Sequence, residues 1–168
     1  MARLYAQPLS VASGLLVPMV TLAQPAWLTL SGGPPNWAVL WLLPWALVDG
    51  PASGAIAGAA MALVMDALGG DALTQLPALV LLGWWWGRLG RRGQPIQRSL
   101  SLGLLAWIGA MVVGISFWLQ LRLLQGLDAP LLQHWAWHRC LAQALITGLV
   151  APLLASFQLL LWRRRAPN

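Results

Sequence analysis

Hydrophobic segments separated by short polar breaks make up nearly the whole chain. Six segments are apolar enough to be predicted as membrane helices: residues 8–30, 37–48, 52–68, 72–87, 99–123 and 141–162. A bilayer core of about 30 Å needs about 20 helical residues, so the second segment is short for a full crossing. The breaks are turn sequences such as SGGPPN and DGP, rich in glycine and proline. The pattern predicts an all-α integral membrane protein with about six transmembrane helices and a single domain over residues 1–168.

The composition agrees with this prediction. Of the 168 residues, 59% are hydrophobic and only 8% are charged, and the mean hydropathy is +0.70. Soluble domains carry about 25% charged residues. A soluble chain of this length could not cover its surface with so few charges. We therefore expect almost no mass outside the bilayer, and we find no internal repeat.

The arginines predict an orientation in the membrane. All ten basic residues are arginine, and the net charge is +6. If the N-terminus is cytoplasmic, eight of them lie inside: Arg3, Arg88, Arg91, Arg92, Arg98, Arg163, Arg164 and Arg165. Arg122 and Arg139 then lie outside, so the positive-inside rule predicts N-in and C-in. If the segment 37–48 is re-entrant, the N-terminus moves outside and only Arg3 opposes that placement.

The same arginines bear on nucleic-acid binding. They sit beside hydrophobic runs rather than in a basic stripe with interleaved polar residues that could track phosphates. No nucleic acid is expected as a partner.

The twelve tryptophans fall into groups. One group precedes the basic segments: Trp84, Trp85, Trp86 and Trp162. A second group falls near the opposite face: Trp27, Trp37, Trp135 and Trp137. Indole rings favour the headgroup level, so these are interpreted as two interfacial belts rather than as a stacking platform for a ligand. A separate stripe of Trp37, Trp41 and Trp45 recurs every four residues and indicates packing or lipid contact more than a site.

Candidate catalytic and metal-binding patterns are weak. His134 and His138 would share one helix face, with Cys140 nearby, but no Glu or Asp follows at useful spacing. The segment 124–140 is better interpreted as an amphipathic helix at the outer interface. No nucleophile-type G-x-S-x-G setting occurs, and Asp66 is the only carboxylate well inside an apolar segment. The sequence thus predicts no catalytic residue, no cofactor and no metal, and the protein is not expected to be an enzyme.

Asp66 ends the stretch GAIAGAAMALVMD at 54–66. On a helical wheel it lies at the edge of a face made of small residues that includes Gly54, Gly58 and Ala62. Small residues at four-residue spacing let helices approach closely in lipid. Three roles for Asp66 remain open: a satisfied polar group that caps the next helix or pairs with Arg or His, a packing and partner-recognition role, and direct ligand or proton chemistry.

Two stretches resemble a known family. The turn PPNW at 34–37 is followed by an apolar span, then by GAIAGAAMALVMDAL and a span closing on aromatic and basic residues. This arrangement resembles the bacterial rod shape-determining protein family MreD, and it is most informative over 34–92. The positions that match the family pattern are Pro35, Trp37, Gly54, Gly58 and Asp66. Asn36 stands where the family often has an acidic residue, and the basic loop with Arg88, Arg91, Arg92 and Arg98 matches in position.

The resemblance implies a non-enzymatic scaffold in the bacterial inner membrane. MreD-like proteins work with the periplasmic protein MreC and, indirectly, with MreB filaments, RodA and a class B penicillin-binding protein. The process is lateral peptidoglycan synthesis and maintenance of cell shape. The resemblance also implies a fold similar to the substrate-binding subunits of energy-coupling-factor transporters. The cytoplasmic arginines would then contact anionic membrane lipid or a filament.

The alternative function is a substrate-binding membrane subunit of a small-molecule, vitamin-type transporter. Such a subunit needs a polar pocket open to the outside. The available polar groups are few: Asp66, Gln120, Arg122, Gln133, His134 and Gln143. Small-residue helices occur in both classes, so they do not discriminate between them.

Overall fold

A computed structural model describes residues 8–23, 34–69, 73–91, 99–125 and 130–164 of the chain. Their side chains are described for residues 12–23, 34–69, 73–91, 101–124 and 137–158. These ranges contain six helices and no strand: α1 (Pro8–Ala23), α2 (Trp37–Asp49), α3 (Pro51–Gly69), α4 (Leu76–Arg91), α5 (Ser99–Gln125) and α6 (Pro130–Arg164). The predicted all-helical fold is therefore confirmed for this part of the chain.

Three of these helices are long and apolar enough to cross a membrane. Their apolar stretches run over Pro51–Gly69, Ser101–Leu124 and Trp137–Gln158. Two further helices are apolar but shorter, over Ala12–Ala23 and Trp37–Asp49. The structure thus indicates a helical membrane protein, whereas the predicted total of six spans stays a prediction.

Some boundaries differ from the sequence-based ones. α6 is one continuous helix from Pro130 to Arg164, where the sequence suggested an interfacial segment ending at 140 and a separate span from 141. Proline is favoured at the first position of a helix, and no glycine or proline follows before Gly148, so nothing breaks the helix at 140. α4 begins at Leu76 rather than at 72, and residues 24–30 of the first predicted span lie outside the described ranges.

α2 forms the centre of the bundle. All nine residues from Ala38 to Ala46 are buried, and α2 contacts each of the other five helices. A helix that is hydrophobic on every side is expected to be surrounded by protein or lipid. With 13 residues it is about 20 Å long, which is less than the thickness of a bilayer core.

The tryptophan stripe of α2 packs inside the protein. The rings of Trp41 and Trp45 stack with their centroids 5.0 Å apart. The Trp41 indole N–H donates to the hydroxyl of Ser13 on α1 at 2.9 Å, and that of Trp45 donates to the hydroxyl of Ser53 on α3 at 3.1 Å. Of the two interpretations of this stripe, packing applies to Trp41 and Trp45.

Trp86 also lies in the core. Its side chain is fully buried, and its ring lies so close to Gly109 of α5 that a Cβ atom there would be 2.6 Å from it. The prediction of an interfacial position is therefore wrong for Trp86, because this face of α4 turns toward α2 and α5. Trp84, two residues earlier, is 43% exposed and remains compatible with an interfacial belt.

Candidate functional site

The small-residue face of α3 packs directly on α4. Gly54 and Gly58 are buried. A Cβ atom on Gly54 would overlap the carbonyl oxygen of Gly83, and one on Gly58 would overlap the carbonyl oxygen of Leu79. The two antiparallel helices are therefore in backbone contact, as small residues at four-residue spacing allow.

α4 contributes its own glycines to this contact. A Cβ atom on Gly83 would overlap the Gly54 carbonyl, and one on Gly87 would overlap the backbone of Pro51. Gly90 lies equally close to the carbonyl of Leu47 at the end of α2. The spacing of Gly83, Gly87 and Gly90 resembles that of α3, and it is the signal in the sequence that would have identified α4 as the helix that packs there.

The packing surface predicted on α3 is thus occupied within the chain. Ala62 is fully buried and Met65 is 8% exposed, so they continue the same buried face. The described structure leaves Gly54, Gly58 and Ala62 no room for an outside partner. Recognition of a partner by these residues stays a prediction.

Asp66 caps the start of α4. Its carboxylate accepts a hydrogen bond from the Thr74 hydroxyl, and it accepts a second from the backbone N–H of Gln75 at 3.0 Å. The first N–H groups of a helix have no partner inside the helix, so a carboxylate at this position stabilises the helix start. Of the three roles considered for Asp66, the structure supports the capping of the next helix.

Gln120 of α5 joins the same cluster. Its side-chain carbonyl accepts from the Thr74 N–H at 2.8 Å, and its amide donates to the Thr74 carbonyl at 2.8 Å. The amide also donates to the hydroxyl of Ser116 at 3.1 Å. Asp66, Thr74 and Gln120, which we call the cap cluster, therefore connect α3, the start of α4 and α5. In the sequence, Gln120 is distinguished only as one of the few polar residues in the span 99–123.

We expect Asp66→Ala to destabilise the protein by about 1–2 kcal/mol, because it removes the acceptor for the Gln75 N–H and for the Thr74 hydroxyl. Asp66→Asn keeps a carbonyl acceptor and should cost less. Denaturant unfolding in detergent, followed by circular dichroism, measures both losses. Thr74→Val removes the hydroxyl that donates to Asp66. If the two residues act together, the double variant Asp66→Ala/Thr74→Val should lose less stability than the two single variants lose in total. Wild-type stability of Asp66→Ala would contradict the capping role.

The turn before α2 is anchored to α6. Pro35 and Asn36 are buried. The Asn36 side chain accepts from the Val39 N–H at 3.2 Å and so caps α2. The Asn36 N–H donates to the hydroxyl of Thr147 at 2.9 Å, and that hydroxyl donates to the Gln143 carbonyl at 2.6 Å. Trp37, the other family-motif residue, is half-buried and packs against the core.

The end of α4 lies against the turn between α2 and α3. Gly50, in this turn, has a φ of +97°, which favours glycine. A Cβ atom there would be 2.9 Å from Nε of Arg91, so the absent side chain also leaves room for the guanidinium. Arg88 lies over the ring of Trp84, with 4.8 Å between Cζ and the ring centroid. Arg92 and Arg98, also predicted for this basic loop, lie outside the described residues.

The opposite end of the bundle carries a small cavity between α5 and α6. Its volume is about 200 Å³, and Trp118, Trp137, Arg139 and Gln143 are among the side chains that line it. Arg122 lies 4.5 Å from the centroid of the Trp118 ring. Among the described side chains, no three His, Cys, Asp or Glu residues come close enough to hold a metal; the side chain of His134 is not among them.

Comparisons with protein-family models, with curated proteins and with solved structures found no match. The fold and the positions of these residues define the chain as an all-helical protein with helices suited to a membrane.

Proposed function

We propose that the chain is a non-enzymatic scaffold of the bacterial cell-elongation complex, located in the inner membrane with both termini in the cytoplasm. The observation that carries the proposal is that the five residues of the MreD-like pattern all lie where a helix begins or where two helices pack together. Pro35 lies in the turn before the central helix and Trp37 is its first residue, Gly54 and Gly58 join α3 to α4, and Asp66 caps α4. A motif used for packing in this way fits a scaffold better than a catalyst.

The proposed orientation rests on where the arginines lie. Arg88 and Arg91 lie in the last turn of α4. α5 and α6 run antiparallel, with Gly103 close to Gly148 and Gly114 close to Cys140, so α6 ends at the same end of the bundle. Cytoplasmic segments carry the excess of arginine. The cap cluster and the cavity near Arg139 would then face the periplasm, where an MreC-like partner would dock.

Pull-down of an MreC-like protein expressed together with this chain tests the scaffold function. We expect the two full-length proteins to co-purify, and depletion of this chain should make rod-shaped cells round. Gly58→Leu should abolish co-purification through loss of the α3–α4 contact, and Asp66→Asn should weaken it less. Unchanged cell shape together with loss of vitamin uptake would contradict the proposal.

The alternative, a vitamin-type transporter subunit, needs a pocket open to the outside, and at the end proposed to face outward the cavity between α5 and α6 is the observation in its favour. Its volume of about 200 Å³ is below the roughly 300–1,000 Å³ typical of small-molecule sites. Asp66 and Gln120, two of the polar groups considered for ligand binding, are engaged in the cap cluster. A small molecule that co-purifies with the protein and is released on denaturation would favour this function.

A further inference from the structure

Two open cavities meet at Arg91, at the end of the bundle where α4 terminates. The first, which we call the α3 cavity, has a volume of about 590 Å³, and Trp45, Asp49, Ile56 and Ala60 are among its lining residues. The second, the arginine cavity, has a volume of about 420 Å³ and is lined by Pro51, Trp84, Arg88 and Arg91. The Arg91 side chain lines both, so one occupant can contact it while filling each.

The two cavities differ in the polarity and charge of their lining residues. The α3 cavity runs along the outer face of a helix long enough to cross a membrane, where Ile56 is 70% exposed. The arginine cavity lies at the end of that helix, with two guanidinium groups and no carboxylate among the described residues that line it. Tryptophan and arginine at a helix end are typical of the headgroup level of a bilayer. An occupant that suits both must be apolar along α3 and negatively charged at Arg88 and Arg91.

We propose that this pair of cavities binds one anionic phospholipid, with its phosphate between Arg88 and Arg91 and an acyl chain along α3. Arginine presents a planar fork of N–H donors that matches phosphate oxygens. Among the described lining residues, two guanidiniums against the carboxylate of Asp49 leave one positive charge. A headgroup with one negative charge, such as phosphatidylglycerol, neutralises it.

The close packing of α4 sets the backbone position of Arg91. Its guanidinium lies over Gly50, where a side chain would displace it. Gly87 and Gly90 hold the last turn of α4 against the α2–α3 turn. The phosphate site is therefore built by the same close packing that joins the helices. The proposal of a lipid site does not depend on the proposed role in cell elongation.

Native mass spectrometry of the purified full-length protein with defined lipids tests the proposal. We expect phosphatidylglycerol to bind about tenfold more tightly than phosphatidylcholine, because charge-assisted hydrogen bonds to two arginines favour the anionic headgroup. The double variant Arg88→Gln/Arg91→Gln should lose this preference. Arg91→Lys keeps the charge that orients the chain and should show an intermediate preference.

Arg139→Gln is the matched control, because Arg139 is exposed at the opposite end of the bundle; it should bind phosphatidylglycerol like the wild type. Ala60→Trp fills the α3 cavity and should lower the affinity for the long-chain lipid several-fold. Size-exclusion profiles of all variants must match the wild type. An equal loss in Arg139→Gln, or an undiminished preference for phosphatidylglycerol in the double variant, would overturn the proposal.

Discussion

Gly58→Leu is expected to destabilise the protein by about 3 kcal/mol or more, the upper range for overpacking in a core. The added side chain would begin inside the carbonyl group of Leu79. A local shift of either backbone cannot relieve this overlap, because Gly54 and Gly83 form the same kind of contact one turn further along. The two helices must therefore separate, and the loss is measured as the fall in the denaturant midpoint of the protein in detergent.

Ala60→Leu is the control on the same helix. Ala60 is exposed, so the same leucine side chain there meets no backbone and should change the stability by less than about 0.5 kcal/mol. If Gly58→Leu unfolds at the same denaturant concentration as Ala60→Leu, the close packing of α3 on α4 is incorrect. If Gly58→Leu does not accumulate in cells while Ala60→Leu gives a normal yield, the failure is due to the position of the leucine and supports the close packing at Gly58.

Trp86→Ala is the second substitution with a large expected effect. The side chain is fully buried and its ring packs against Gly109, so its removal leaves a cavity and should cost about 3–5 kcal/mol. Trp86→Phe should cost much less, because it keeps an aromatic ring and removes an indole N–H that has no hydrogen-bond partner in the described structure. Thermal or denaturant unfolding in detergent measures both changes.

Trp84→Ala provides the comparison within the same run of three tryptophans. Trp84 is 43% exposed, and its substitution should leave the stability in detergent within about 1 kcal/mol of the wild type. If Trp84→Ala and Trp86→Ala lose equal stability, the two indoles occupy similar environments and α4 is rotated relative to this structure.

The hydrophobic pattern predicts the helices well, because apolar runs between glycine and proline breaks have few alternatives in a membrane. It does not distinguish a helix that faces lipid from one surrounded by protein. The run WWW at 84–86 illustrates this limit, since only the rotation of α4 about its axis decides which indole is buried. α2 illustrates it too, because its short apolar segment is as hydrophobic as a span and yet lies at the centre of the bundle.

The site residues were predictable to different degrees. The wheel around Asp66 correctly places it at the edge of the small-residue face. The partner of that face was not predicted, although the spacing of Gly83, Gly87 and Gly90 in α4 was a signal for it. Gln120 lies 46 residues from Thr74, and no local pattern connects two positions so far apart. Arg88 and Arg91 were identified by charge alone, whereas the cavities beside them depend on how Gly50 turns the chain.

The bond between Asn36 and Thr147 joins residues 111 positions apart, and this separation constrains the order of synthesis. α2 is made early, but the hydroxyl that accepts the N–H of its capping residue belongs to α6. Until α6 is released from the ribosome, the start of α2 lacks this partner in a medium that offers few others. The start of α2 is therefore expected to stay incomplete until α6 is made, and a chain truncated before α6 should be a substrate for membrane quality-control proteases.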